Sequence, residues 1–493
     1  MKKWVFINWV LALGLSTAAQ DSSKKNSDSV YRPLIHFTPS TGWMNDPNGM
    51  VFYKGTYHVF YQHNPNASVW GPMHWGHATS SDLIDWKHQP IALYPDSLGT
   101  IFSGSAVVDH KNSSGLGTAD NPPLVAIFTY HNQALADQKK KNFQTQGIAY
   151  SLDNGVTWKK YEKNPVIQNP GIPDFRDPKV TWLEDQQKWV MALAVQDRIY
   201  FYGSKNLLQW EYLSQFGKTN GAHGGVWECP DLFPMEFENK TYWVLIVNIN
   251  PGGPNGGSAT QYFIGNFDGR EFKPFTAEVR WLDFGPDEYA GVSWFNTSQR
   301  RIFIGWMSNW SYANVVPTET WRSALTIPRE LSLVKVKDVL LLKSLPVKEL
   351  SSLIESQTKE IDNQKNPFRV QLTAQANADF SVEIFNDQKE KIILGYDKKQ
   401  NQFYIDRTNS GKTKFYSEFG KIHTAPRISN DNLIQLDIWV DRTSVELFAD
   451  EGLTVMTSIF FPNQSMNKIK FNGKWPKDKS PVITSLKSSQ NTK

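Results

Sequence analysis

Three carboxylates lie far apart in the chain yet keep matching local company. Asp46 stands in Asn45-Asp46-Pro47-Asn48, Asp177 in Phe175-Arg176-Asp177-Pro178, and Glu228 in Trp227-Glu228-Cys229-Pro230-Asp231, at separations of 131 and 51 residues. A proline follows each acid within two positions, and its fixed φ pins the backbone that carries the acid. Singly, each has an ordinary explanation: a turn in which Asp46 bonds its own backbone, an ion pair of Arg176 with Asp177, an exposed loop acid at Glu228. Jointly, rigid acidic turns suit hydrolysis of a glycosidic bond, where one carboxyl protonates the leaving oxygen and another attacks, or positions water at, the anomeric carbon. The acid must keep its proton near neutral pH, which apolar surroundings arrange. Trp227, Cys229 and Pro230 give Glu228 the drier context, while Asn45 and Asn48 offer Asp46 donors that favour its ionised form. The residue types therefore point to Glu228 as acid and Asp46 as nucleophile.

Acids so distant in sequence converge only on a scaffold that brings equivalent positions to one axis. From residue 31 to about 329 the chain consists of short apolar or alternating runs, at 57–61, 124–129, 188–195, 242–247 and 301–306, broken by Gly, Pro, Asn and Asp. No long stretch has a 3.6-residue apolar period, so this half reads as nearly all β. It also repeats: segments 81–86, 151–158 and 204–210 are polar turns closing on Trp86, Trp158 and Trp210, with 266–272 as a looser copy closing on Phe272. The ends lie 72, 52 and 62 residues apart, an irregular period suited to propeller blades with loop insertions, and roughly 60 residues per blade gives about five blades. From about residue 335 the texture changes. A short helical linker at 345–354 and a polar stretch precede strand runs at 368–372, 380–385, 392–396, 433–440, 444–448 and 455–461, the pattern of a β-sandwich. The expected architecture is all-β: a five-bladed β-propeller over 31–335, a linker over 336–366 and a β-sandwich over 367–493. The chemistry belongs to the first domain, which holds most of the tryptophan.

Composition narrows the partners. Aromatic residues make up 13% of the 493, with 19 Trp, more than a core requires, and flat aromatic faces suit sugar rings. The formal charge of +4 is spread over scattered lysines, which excludes a nucleic-acid footprint. Lys2 and Lys3, an apolar run over 4–15 and small residues at 16–19 read as a signal peptide over 1–19, followed by a flexible lead-in over 20–30. The run falls short of the roughly 20 residues a membrane span needs, and no other membrane segment is expected, so the protein is read as periplasmic or extracellular. Cys229 is the single cysteine, so no disulfide forms within the chain, and the bland reading is a small buried hydrophobe. His58, His63, His74 and His77 lack a recognised metal-ligand spacing; no metal and no cofactor is expected.

The ordered motifs carry a resemblance. Residues 43–49, Tyr61-Gln62-His63-Asn64-Pro65, the segment 70–77, Phe102-Ser103-Gly104-Ser105, the Asp177 and Glu228 motifs and Gly305-Trp306-Met307-Ser308-Asn309-Trp310 resemble the motif series of glycoside hydrolase family 32, the invertases, inulinases and levanases, and are nearest those of bacterial exo-levanases. The resemblance runs from about residue 31 to the end. It implies a five-bladed propeller followed by a sandwich, and retaining release of terminal β-D-fructofuranosyl units from levan, inulin or sucrose. It implies Asp46 as nucleophile, Glu228 as acid/base and Asp177 as the transition-state stabiliser that holds fructosyl hydroxyls, with Asn45, Gln62, Trp70, Ser103, Arg176 and Trp306 lining the fructose pocket. Retention requires the Asp46 and Glu228 carboxyls to lie about 5–5.5 Å apart. One departure is Glu288, in a position where relatives often carry an aromatic; on an outer subsite it would alter leaving-group preference. A fructosyltransferase on the same scaffold differs in letting a sugar hydroxyl intercept the fructosyl-enzyme. A non-catalytic glycan-binding propeller would not need all three acids.

Overall fold

The five apolar runs of the N-terminal half become the second strands of five successive antiparallel sheets: Thr56–Asn64, Leu124–His131, Lys188–Val195, Lys240–Asn250 and Arg301–Met307. Each is hydrogen-bonded on both edges and covered on both faces, which is why its sequence is apolar along much of its length instead of alternating. The innermost strands are Gly42–Tyr53, Thr100–Val108, Phe175–Leu183, Val226–Phe237 and Tyr289–Ser293. They adjoin in that order and the last lies beside the first, so the sheets close a five-bladed propeller. A short parallel pairing of Gly42 and Trp43 with Trp321 and Arg322 ties the end of the ring to its beginning. The computed structural model describes residues 30–358, 367–476 and 479–489; the signal segment 1–19, residues 20–29 of the lead-in and 359–366 of the linker lie outside the described residues.

The repeated turns join the third and fourth strands of successive blades by one set of bonds. The indole N–H of Trp86, Trp158 and Trp210 donates to the backbone oxygen of Leu83, Gly155 and Leu207 at 3.1, 3.1 and 2.9 Å. Ser80, Ser151 and Ser204 cap the same turns through their hydroxyls. In the fifth blade the outermost strand is Val339–Pro346, so this sheet runs past residue 335 and the helical part of the connection is the 3-10 turn Lys348–Leu353. Beyond it two sheets of six and five strands pack face to face over a core that includes Phe368, Val382, Leu394, Ile438 and Leu447, a β-sandwich.

Buried charges fasten sandwich to propeller. Arg329 donates to Asp283 at 2.9 Å and to Glu446 at 2.5 Å, and Arg407 donates to Asp287 at 2.6 Å. His36 bridges Asp441 and Glu446 at 2.8 Å each. Burial alone would lower the His36 pKa, but hydrogen bonds and charges from both carboxylates raise it to about 9. Glu288 sits nearby, 1% exposed, in room left by Gly291 and Gly305: a Cβ at either would come within 2.6 and 2.2 Å of its Oε1. The hydroxyl of Thr260 already donates to Asn248 Oδ1 at 2.6 Å and offers Glu288 only an acceptor. Burial, and then the charge of Asp283, push the Glu288 pKa up to about 8 against the pull of Arg329.

Both groups make the fold alkali-sensitive. His36 stays protonated to higher pH when folded, so its contribution is full below about 6.5 and is lost as pH rises towards 9. Glu288 ionises near 4.5 when unfolded and holds its proton to about 8 when folded, so each pH step between those values favours the unfolded chain. Melting temperature is expected to fall from pH 6 to pH 9. Glu288→Gln is expected to raise it at pH 8 by about 2–4 °C and to flatten the slope. Equal slopes for the two proteins in thermal melts would remove Glu288 from this account.

Candidate active site

Every innermost strand slips its register near its N-terminal end. The shifts fall between Met44 and Pro47, Ile101 and Gly104, Arg176 and Lys179, Glu228 and Asp231, and Tyr289 and Val292. Inside or beside the first four bulges stand residues singled out from the sequence, Asn45 and Asp46, Ser103, Arg176 and Asp177, and Glu228 with Cys229; the fifth bulge follows Glu288. A bulge breaks the ladder and re-aims the side chain it carries, and a proline there forfeits no ladder hydrogen bond. This is the physical reason for Asp46-Pro47, Asp177-Pro178 and Cys229-Pro230. Asp177 and Cys229 adopt φ of +65° and +43°, which costs on the order of 1–3 kcal/mol each. Asp177 is held there by its N–H donating to Thr129 Oγ1 at 3.0 Å, and Cys229 by Asn248 Nδ2 donating to its carbonyl at 2.9 Å.

The first four of these innermost strands line a cavity of about 450 Å³ that contains Asp46, Asp177 and Glu228 in its wall, together with Asn45, Gln62, Trp70, Ser103 and Arg176. Asp46 accepts from Asn45 Nδ2 on Oδ1 (2.9 Å) and from Ser103 Oγ on Oδ2 (2.7 Å). Asn45 is aimed in turn by the Trp43 indole N–H at 2.7 Å. Glu228 Oε1 accepts from Arg176 Nε and Nη2 at 3.1 and 2.9 Å, and Oε2 from the Tyr289 hydroxyl. Asp177 Oδ2 accepts from the Cys229 backbone N–H at 3.1 Å and stands 4.0 Å from Arg176 Nε. One guanidinium thus faces two of the acids, and a third acid, Asp174, fixes its far side at 2.6 Å.

The dry position belongs to Asp177 and not to Glu228, whose carboxyl side chain is 20% exposed against 3% for Asp177. Burial raises the Asp177 pKa first, Arg176 pulls it down, and the charges of Glu228 and Asp46 push it up, to about 7. Asp46 is raised by burial and by Glu228, against hydrogen bonds from Ser103, Asn45 and Cys229. Asp46 and Asp177 therefore both hold their protons to higher pH than free carboxyls do.

Two expectations look different in place. Trp306 is fully buried, its indole N–H donating to Met44 O at 3.1 Å; it packs 4.8 Å behind Trp310, and Trp310 forms the cavity wall. Glu288 points into the core beside Asp283 and Arg329, not onto an outer subsite, so the leaving-group expectation attached to it has no basis in the geometry. Cys229 is buried as expected, but its thiol stands 3.4 Å from Asp46 Oδ2 and 3.7 Å from Asp177 Oδ2, between the two acids. Asp174, Tyr289 and Trp310 were not named as site residues from the sequence, although Trp310 closes one of the quoted motifs. Their signal was proximity to a motif: two residues before Arg176, one after Glu288, four after Trp306.

Comparison with known proteins finds matches over nearly the whole chain. Residues 36–344 match the description "Glycosyl hydrolases family 32 N-terminal domain" and residues 341–489 match "Glycosyl hydrolases family 32 C terminal". The chain is 46% identical over 490 residues to the levanase of Bacillus subtilis (strain 168), covering 94% of this chain and 70% of that one. It is 39% identical over 488 residues to the extracellular exo-inulinase of Aspergillus awamori, covering 89% of this chain and 91% of that one. A crystal structure of exo-inulinase from Aspergillus awamori superposes with a TM-score of 0.85 at 35% identity, covering 94% of this chain and 100% of that one.

Proposed function

The chain belongs to glycoside hydrolase family 32, and we propose that it is a retaining, exo-acting β-fructofuranosidase that releases fructose from the ends of fructans such as levan or inulin and from sucrose. The observation that carries this reading is the convergence of Asp46, Asp177 and Glu228 on one cavity, each with its own donors. Asp46, flanked by Asn45 and Ser103, attacks the anomeric carbon of a terminal fructosyl unit. Glu228 gives a proton to the leaving oxygen, the glycosidic C–O bond breaks, and a fructosyl ester of Asp46 remains. Glu228, now ionised, takes a proton from water, whose oxygen attacks the same carbon and frees Asp46. Fructose leaves and both groups regain their starting protonation.

The geometry supports a division of roles between Asp177 and Glu228. Fructosyl hydroxyls donating to Asp177 favour its ionised form, and Glu228, more exposed than Asp177, faces the leaving group. Ionised Asp177 stabilises the oxocarbenium-like charge in a fixed, water-poor setting. Arg176 positions Glu228 through two N–H donors to Oε1, and Trp70 and Trp310 offer apolar faces to sugar rings. Export is supported by the pattern of residues 1–19 and by the extracellular relative. Among the described residues no helix is long and apolar enough to cross a membrane.

The test is a time course on levan, inulin and sucrose with products resolved by size. Fructose is expected as the only early product from each fructan. Short oligosaccharides at early times would mean endo-cleavage, and longer products at high sucrose would mean transfer to a sugar hydroxyl.

A further inference from the structure

A second aromatic surface lies on the funnel face of the first blade, farther from the axis than the cavity. The register places it. Trp43 pairs with Asn64, His63 with His74 and Trp75 with Leu93, so the end of the outermost strand, Lys87–Leu93, lies on the face where the acids open. Residues 94–99 cross on that face to the innermost strand of the second blade, Thr100–Val108. Tyr94 begins the crossover and is 56% exposed, three strand spacings or roughly 14 Å out from the innermost strand. Trp70, 40% exposed and lining the cavity, stands on the same face in the loop joining the second and third strands of the blade.

A lone exposed aromatic needs no explanation, but Tyr94 is built in place. Its carbonyl accepts from Lys160 Nζ, and the same ammonium donates to Asp96 Oδ2 at 2.6 Å. Asp96 also accepts from the Tyr130 hydroxyl at 3.1 Å and from Leu98 N at 2.8 Å, and it exchanges backbone hydrogen bonds with Gly99 at 3.1 Å each. The Tyr94 ring meets His74 nearly at right angles, with 5.5 Å between centroids. A ring held this firmly binds a sugar face without first losing conformational freedom.

We infer that Tyr94 forms a distal subsite for the body of a fructan chain whose terminal unit occupies the cavity. The inference rests on the proposed fructan-hydrolase reading and extends it to the polymer. A cavity of about 450 Å³ takes the end of such a chain, and the remainder leaves over the rim, where the first blade presents Trp70 and then Tyr94.

Initial rates on sucrose, on levan and on inulin, measured for the parent, Tyr94→Ala and Tyr94→Phe, test it. Tyr94→Ala is expected to lower kcat/KM on at least one polymer relative to sucrose by roughly threefold to tenfold, through KM, and Tyr94→Phe to restore the parental ratio. Parental polymer KM in Tyr94→Ala, or a drop of the same size on sucrose and polymer, overturns the subsite. A parent that cleaves sucrose and neither polymer sinks the fructan reading itself, and that result is in hand before any variant is compared.

Discussion

Asp46→Asn is expected to lower kcat by at least about 10⁴-fold on sucrose and fructan alike, the scale seen when a covalent nucleophile is removed. The asparagine is nearly isosteric and its oxygen still accepts from Ser103 and the Cys229 thiol, which now reach Asp46 Oδ2 at 2.7 and 3.4 Å; it gives up the bond that Asn45 Nδ2 donates to Oδ1. What disappears is a negative oxygen able to bond to carbon. The variant also relieves repulsion in a crowded group: burial and the charge of Glu228 raise the Asp46 pKa, and the Asp46 charge raises that of Asp177. Its melting temperature at neutral pH is therefore expected to equal or exceed that of the parent, which separates lost chemistry from lost folding. Mass spectrometry of protein quenched during turnover should find a fructosyl adduct on the parent peptide containing Asp46. An adduct on the variant would overturn the nucleophile assignment.

Glu228→Gln is expected to lower kcat by about 10³-fold, within the usual range for a general acid, with KM inside a few-fold of the parent. Glutamine occupies the space between Arg176 and Tyr289, where Glu228 now accepts on both oxygens, but it has no proton to give. The loss should depend on the leaving group. On β-fructosyl fluoride, whose fluoride departs without protonation, the first step should recover to within about tenfold of the parent. An equal loss on sucrose and on the fluoride in single-turnover measurements would mean that Glu228 serves some other purpose.

The two variants also bear on how the acids are placed. In sequence, Glu228 has the apolar neighbours and Asp46 the amides. In the fold, Trp227 turns away into a core with Phe263, while Glu228 itself meets a guanidinium and solvent, and Asp177 takes the dry place. Neighbours along a strand point to opposite faces, so a residue's sequence flanks say little about what its side chain touches. Cys229 departs from that alternation: a bulge at φ +43° swings its thiol between two carboxylates, which no count of cysteines reveals.

What the sequence by itself determined is the local machinery. Five apolar runs marked the five second strands because a strand covered on both faces must be apolar wherever it lies in the chain. The Ser and Trp of the repeated turns bond within one short segment, so they too are legible in one dimension. The prolines after Asp46 and Asp177, and after Cys229, announced rigid, ladder-free positions because proline acts on its own backbone. Only the tertiary structure decided which of these positions meet. Ring closure sets Asp46 beside Ser103 and Arg176 against Glu228 across gaps of 57 and 52 residues. It puts Trp310 in the cavity wall with Trp306 behind it, and Glu288 in a pocket between two glycines under the sandwich. Those relations depend on the angle between blades and on what packs beneath them. Such quantities are summed over the whole ring and are not written at any one residue.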